Sequence, residues 1–247
     1  MLNIHRILLA LLLPTAASIG LAQTLISWDV SGIEADTLTA PYTVAGTNLA
    51  TGISGGSLSL GSGTNPTTSA AQYGFKISSS NAQTTLAGAI SQNHYMQWTV
   101  TADSGFNFTV TSLDILGQSS GTGADNVALF SSVEGFTDGD QIKEVSSIQD
   151  VTGGFDSDAS GFGSVTFTGM AAYQNISSIT FRIYGWNTSN SSSAGTTRIR
   201  NLGELDPDLL VLGTATAVPE PFSFAALAGL ATIGFAASRR RVRTTMA

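Results

Sequence analysis

Tyr95-Met96-Gln97-Trp98-Thr99-Val100, followed after a short polar break by Phe106-Asn107-Phe108-Thr109-Val110, decides the class of fold. Met96, Trp98 and Val100 alternate with Gln97 and Thr99, and Phe106, Phe108 and Val110 alternate with Asn107 and Thr109. A period of two sends successive side chains to opposite faces, so each run reads as a strand with one buried face. From Leu113 and Ile115 onward the apolar residues fall on odd numbers. A bulge or turn near Thr111-Ser112 is therefore needed to keep the same face inward. Ile26, Trp28 and Val30 repeat the alternation near the start. Further strands are expected at Ser57–Leu60, Tyr73–Ile77, Val127–Phe130, Ser164–Thr168, Ile179–Tyr184, Thr197–Arg200 and Leu209–Gly213.

Between these runs lie Gly52–Gly56, Gly61–Pro66, Ser119–Gly123, Asp150–Gly163 and Asn187–Gly195. They are rich in residues that turns need for positive φ or for local side-chain hydrogen bonds. No window of a dozen residues in the body carries the i, i+3, i+4, i+7 apolar repeat of an amphipathic helix. Many short strands with such spacers predict an all-β fold, a two-sheet antiparallel β-sandwich of jelly-roll type. A parallel β-solenoid is the alternative, but it demands a constant repeat period, and none runs along residues 24 to 213.

The two ends differ from this body. His5 and Arg6 precede the apolar run Ile7 to Leu13, then Pro14 and small residues up to Gly20, Leu21 and Ala22. That is the tripartite form of a secretory signal peptide over residues 1–22, cut before Gln23 or, alternatively, near Ala17. At the other end Val218-Pro219-Glu220-Pro221 is followed by an uncharged stretch from Phe222 to Ala237 and by Arg239, Arg240, Arg241 and Arg243. The prolines hold residues 219 to 221 extended. Sixteen helical residues reach about 24 Å against a hydrocarbon core of roughly 30 Å, short but usable as a single membrane helix. The arginines beyond it would stay on the cytoplasmic side.

What remains, residues 23–217, is about 195 residues, the size of one domain. It holds five basic residues against sixteen acidic, a net charge of −11 where the whole chain has −7. Nucleic acid needs a basic face and is excluded as a partner. Cysteine is absent, which removes disulfides, thiolate metal sites and cysteine nucleophiles. With His5 in the leader, His94 is the single imidazole of the mature chain.

The order Val-Pro-Glu-Pro, apolar helix and arginine cluster resembles the PEP-CTERM protein-sorting domain of Gram-negative bacteria over residues 218–243, with 244–247 as a tail. The resemblance implies that Pro219, Glu220 and Pro221 form the recognition motif of an exosortase-type membrane enzyme. It also makes Phe222 to Ala237 a transient membrane anchor and Arg239, Arg240, Arg241 and Arg243 the stop signal. The body would then pass from the inner membrane to the cell surface or extracellular matrix. An ordinary single-span anchor that is never cleaved is the alternative. The body also resembles the β-sandwich ectodomains found upstream of this signal, through Ile26 to Gly32, Tyr95 to Val100, Phe130 to Phe136 and Ile179 to Trp186. That likeness implies a fold and no activity.

Candidate chemistry is sparse. His94 stands before a strand, where a surface or capping role is expected, and the chain has no Gly-x-Ser-x-Gly to accompany a catalytic histidine. Carboxylate pairs for glycoside hydrolysis could come from Glu134, Asp138, Asp140 and Glu144 or from Asp150, Asp156 and Asp158. Asp138, Asp140, Asp156 and Asp158 have the alternating spacing of a candidate structural calcium site, though neither pair completes a calcium loop. In the run Ile179 to Trp186, Arg182, Tyr184 and Trp186 share one face, a candidate platform of aromatic rings and a cation for polysaccharide. Packing beneath covering loops is the plainer role for the two rings. The expectation is an exported, non-enzymatic protein with no catalytic residues and no cofactor, structural or adhesive in the envelope or exopolysaccharide matrix. A carbohydrate-binding module is the alternative, and a secreted glycan-active enzyme the third reading.

Overall fold

A computed structural model describes residues 22–68, 72–77, 83–149, 163–187, 195–200 and 207–218. The signal peptide at 1–22, except its last residue, therefore lies outside the described residues. So do the motif at 219–221, the expected helix at 222–237, the arginine cluster, Asp150, Asp156 and Asp158. Among the described residues no helix is long and apolar enough to cross a membrane.

The protein is all-β, built of antiparallel sheets. One sheet places β1 (Gln23–Trp28) beside β15 (Leu209–Ala217), then β8 (Phe106–Ile115) and β12 (Ser164–Thr166). A second runs β11 (Lys143–Ser146), β10 (Asn126–Ser131), β13 (Ser178–Trp186), β7 (Tyr95–Ala102), β4 (Ser57–Leu60) and β2 (Val44–Ala45), with β3 (Ile53–Gly55) also on β7. A third runs β5 (Asn65–Pro66), β6 (Gln72–Ile77), β14 (Gly195–Arg200) and β9 (Gly117–Ser119). Hydrogen bonding thus divides the described strands into three sheets where two are expected. The division falls at Leu116, where β8 gives way to β9: β8 pairs with β15, whereas β9 pairs with β14.

The change of phase in β8 is present. Ser112 faces Leu212 and Val110 faces Gly213, so Thr111 is the extra residue of a bulge. Phe108 and Val110 before it and Leu113 and Ile115 after it are all buried. Gly213 is required by the close approach: a Cβ there would stand 1.9 Å from the carbonyl oxygen of Thr109. In β1, by contrast, Leu25 and Ser27 are buried along with Ile26 and Trp28. Thr24 faces Leu212 and Ile26 faces Val211, so Leu25 is the extra residue of a second bulge, and Ser27 bridges to Thr47 of the segment after β2.

One hydrophobic core joins the three sheets, with Trp28, Leu113 and Val211 from the first, Trp98, Leu129 and Phe181 from the second, and Tyr73, Phe75 and Ile199 from the third. Trp98 and Phe181 are direct cross-strand partners with rings stacked 5.7 Å apart. Such aromatic pairs contribute about 0.5–1.5 kcal/mol beyond the area they bury.

Candidate functional site

The second sheet is buried on part of its other face too, at the Tyr184–Trp186 end of β13, which the alternating sequence does not reveal. A short helix α1 (Leu86–Ser91), capped by Thr85 Oγ1 accepting from the Gly88 N–H at 3.1 Å, lies over it. Leu86 and Ala89 of the helix pack with Ala128, Phe130, Tyr184 and Trp186 into a second cluster. Six residues are too few to show an amphipathic repeat, so the helix leaves no signal of the kind sought.

The three residues expected to form a polysaccharide platform share this face but not its exposure. Tyr184 is 1% and Trp186 5% exposed, so neither ring is open to a sugar. The Tyr184 ring meets Phe130 edge-on at 5.2 Å and Tyr95 at 5.3 Å. Burial raises the Tyr184 hydroxyl above the ordinary tyrosine range, and the hydrogen bond and charge of Arg182 oppose that shift. The platform is corrected to a packed cluster with one partly exposed member, Arg182.

Register explains how Arg182 is held. On this face Phe130, Arg182, Gln97 and Ser59 stand opposite one another across β10, β13, β7 and β4. Arg182 Nε donates to Gln97 Oε1 at 3.0 Å, and Gln97 Nε2 donates to Ser59 Oγ at 3.2 Å. Arg182 Nη1 donates to the Tyr184 hydroxyl at 3.1 Å. The guanidinium also lies between two rings, 4.2 Å from the centroid of Tyr95 and 4.1 Å from that of Phe136. Cations over aromatic faces gain about 0.5–2 kcal/mol per contact. Two of the five N–H donors are used, both on neutral oxygens.

Phe136 is brought there by a turn that the acidic spacing hides. Asp140 Oδ2 accepts from both the backbone N–H and the hydroxyl of Thr137, and these bonds hold its carboxyl below the usual range. Gly135, at φ +124°, bends the chain just before the ring. Asp140 therefore closes a turn, while Asp138, Glu134 and Glu144 are exposed. Among the described residues no three acidic or imidazole side chains gather as a metal site. Tyr95, Gln97 and Phe136 were not candidates from sequence. The signal for the first two was their period-two register with Arg182 on the outer face.

His94 is not a surface residue. It is fully buried, its Nδ1 is 3.1 Å from the Gly185 carbonyl and its ring meets Phe75 edge-on at 4.7 Å. Gly185 makes room for the Phe75 ring, since a Cβ there would stand 2.8 Å from it. Burial lowers the imidazole pKa, and the backbone bonds to Gly185 and Lys76 oppose it. A neutral imidazole sealed in this way packs the junction between the second and third sheets.

No family model matches the chain, and a search of curated proteins finds no relative.

Proposed function

We propose that the chain is an exported, non-enzymatic protein whose body is a jelly-roll-like β-sandwich, delivered by a C-terminal sorting signal to the cell surface or extracellular matrix. In this reading the first and third sheets form one layer, continuous through β8 and β9, and the second sheet forms the other. Pro219, Glu220 and Pro221 are the motif for an exosortase-type enzyme, the stretch 222–237 is the membrane anchor before processing, and the arginines that follow hold it in place. The role at the destination is structural or adhesive.

One observation carries this reading. The last strand, β15, ends at Ala217, immediately before the motif, and the Val218 N–H still bonds the Gly105 carbonyl at 2.7 Å. In this reading the strand closes the domain and the signal follows it. The antiparallel pairing of Gln23 with Gly213 sets the start of β1 beside the middle of β15. Replacing Pro219-Glu220-Pro221 by alanines and following delivery in the native host tests this. Retention at the membrane supports the reading, and unchanged surface delivery removes it.

Arg182 favours a second reading, a carbohydrate-binding module. A partly exposed cation fixed between two aromatic rings is a feature that a purely structural surface does not require.

A further inference from the structure

We propose that Arg182, clamped between Tyr95 and Phe136, is the anchoring cation of a site for the carboxylates of an acidic, uronate-bearing polysaccharide. The proposal rests on the carbohydrate-binding reading and names its ligand class.

The first support is charge. Acidic residues outnumber basic ones sixteen to five in residues 23–217, so an arginine there has many carboxylates to choose from. Among the described residues Arg182 nonetheless bonds only the neutral oxygens of Gln97 and Tyr184. No carboxylate of the described residues pairs with its charge. The second support is geometry. Rings at 4.2 and 4.1 Å and two hydrogen bonds fix the plane of the guanidinium. With Nε and one N–H of Nη1 engaged among the described residues, one N–H of Nη1 and both of Nη2 remain as a fork of donors for a ligand. That fork matches the two oxygens of a carboxylate, and pre-organisation lowers the entropy lost on binding.

The third support is the surroundings. Tyr95 and Phe136 are partly exposed beside the guanidinium, which suits a sugar ring carrying the carboxylate better than a bare anion. The net −11 of the body repels polyanions at long range, but that repulsion is screened beyond about 8 Å at physiological salt. Repeated uronates on one chain then supply the effective concentration that a single contact lacks.

The test measures binding of the full chain to polygalacturonate, to its carboxyl-reduced counterpart and to polyglutamate. Wild-type protein should bind polygalacturonate, with the reduced polymer about tenfold weaker or more, since a charge-assisted contact is lost. Arg182→Gln should lose affinity by a similar factor while still unfolding cooperatively, at a temperature lowered by the lost ring contacts. Arg182→Lys, which keeps the charge but not the fork, should also weaken binding. Should Arg182→Gln fail to fold, competition on the wild-type protein decides: free galacturonate should displace the polymer and galactose should not. Equal affinity for the reduced polymer, or for polyglutamate, or an unchanged affinity in folded Arg182→Gln overturns the proposal. If the reduced polymer binds as well, carbohydrate binding survives without this site. If neither polysaccharide binds, both readings fall.

Discussion

The backbone N–H of Val218 donates to the carbonyl of Gly105 at 2.7 Å, so β15 stays joined to the end of β8 up to the residue before Pro219. Its strand lies between β1 and β8 with partners on both sides. A chain stopped after Val218 is expected to melt at the same temperature as the full chain. A chain stopped after Asp208 loses this central strand and should show no cooperative transition. Thermal unfolding followed by circular dichroism measures both, and cooperative melting of the shorter chain would contradict the placement of β15.

The bulge at Thr111 depends on Gly213, whose position admits no side chain against Thr109. Gly213→Ala overpacks that contact and is expected to cost about 1–3 kcal/mol. Urea denaturation reads this directly. A loss within error would mean that the strands separate freely there.

Much of this was legible in the sequence because period two survives wherever one sheet face is buried. Phe108 and Val110, then Leu113 and Ile115, report the inward face of β8, and their change of phase reports the bulge. The second sheet is different, because both faces of β13 are covered. Phe181 and Ile183 enter the main core while Tyr184 and Trp186 enter the cluster under α1. Alternation identifies the two faces but not what lies over them, which is why Tyr184 and Trp186 read as a platform. The site around Arg182 needs Phe136 from another segment, and only the folded turn at Thr137 and Asp140 brings it there.

Trp186 is 5% exposed and packs beneath α1. Trp186→Ala is expected to cost about 3–5 kcal/mol, as large-to-small changes in packed cores do. Equilibrium urea unfolding checks the size of the loss. A stable variant that only lost polysaccharide affinity would restore Trp186 to the binding surface.

Protonation of His94 should set part of the acid stability. Its folded pKa is lowered by burial, whereas in the unfolded chain it titrates near about 6.5. Above that value both states are neutral and the contribution is complete. As pH falls below it the unfolded state takes up a proton that the folded state refuses, so stability declines until the folded pKa is passed. His94→Gln should flatten the fall in melting temperature between about pH 6.5 and 5. An identical slope in wild type and variant would place the acid sensitivity elsewhere.

The central claim concerns delivery, and the most direct test is the intact mass of the protein recovered from membrane and extracellular fractions of the native host. The expected extracellular species begins near Gln23 and ends near Glu220, with the mature domain intact through Ala217. A single species in every fraction that still carries Phe222 to Ala247 would contradict processing and leave a domain tethered permanently to its membrane.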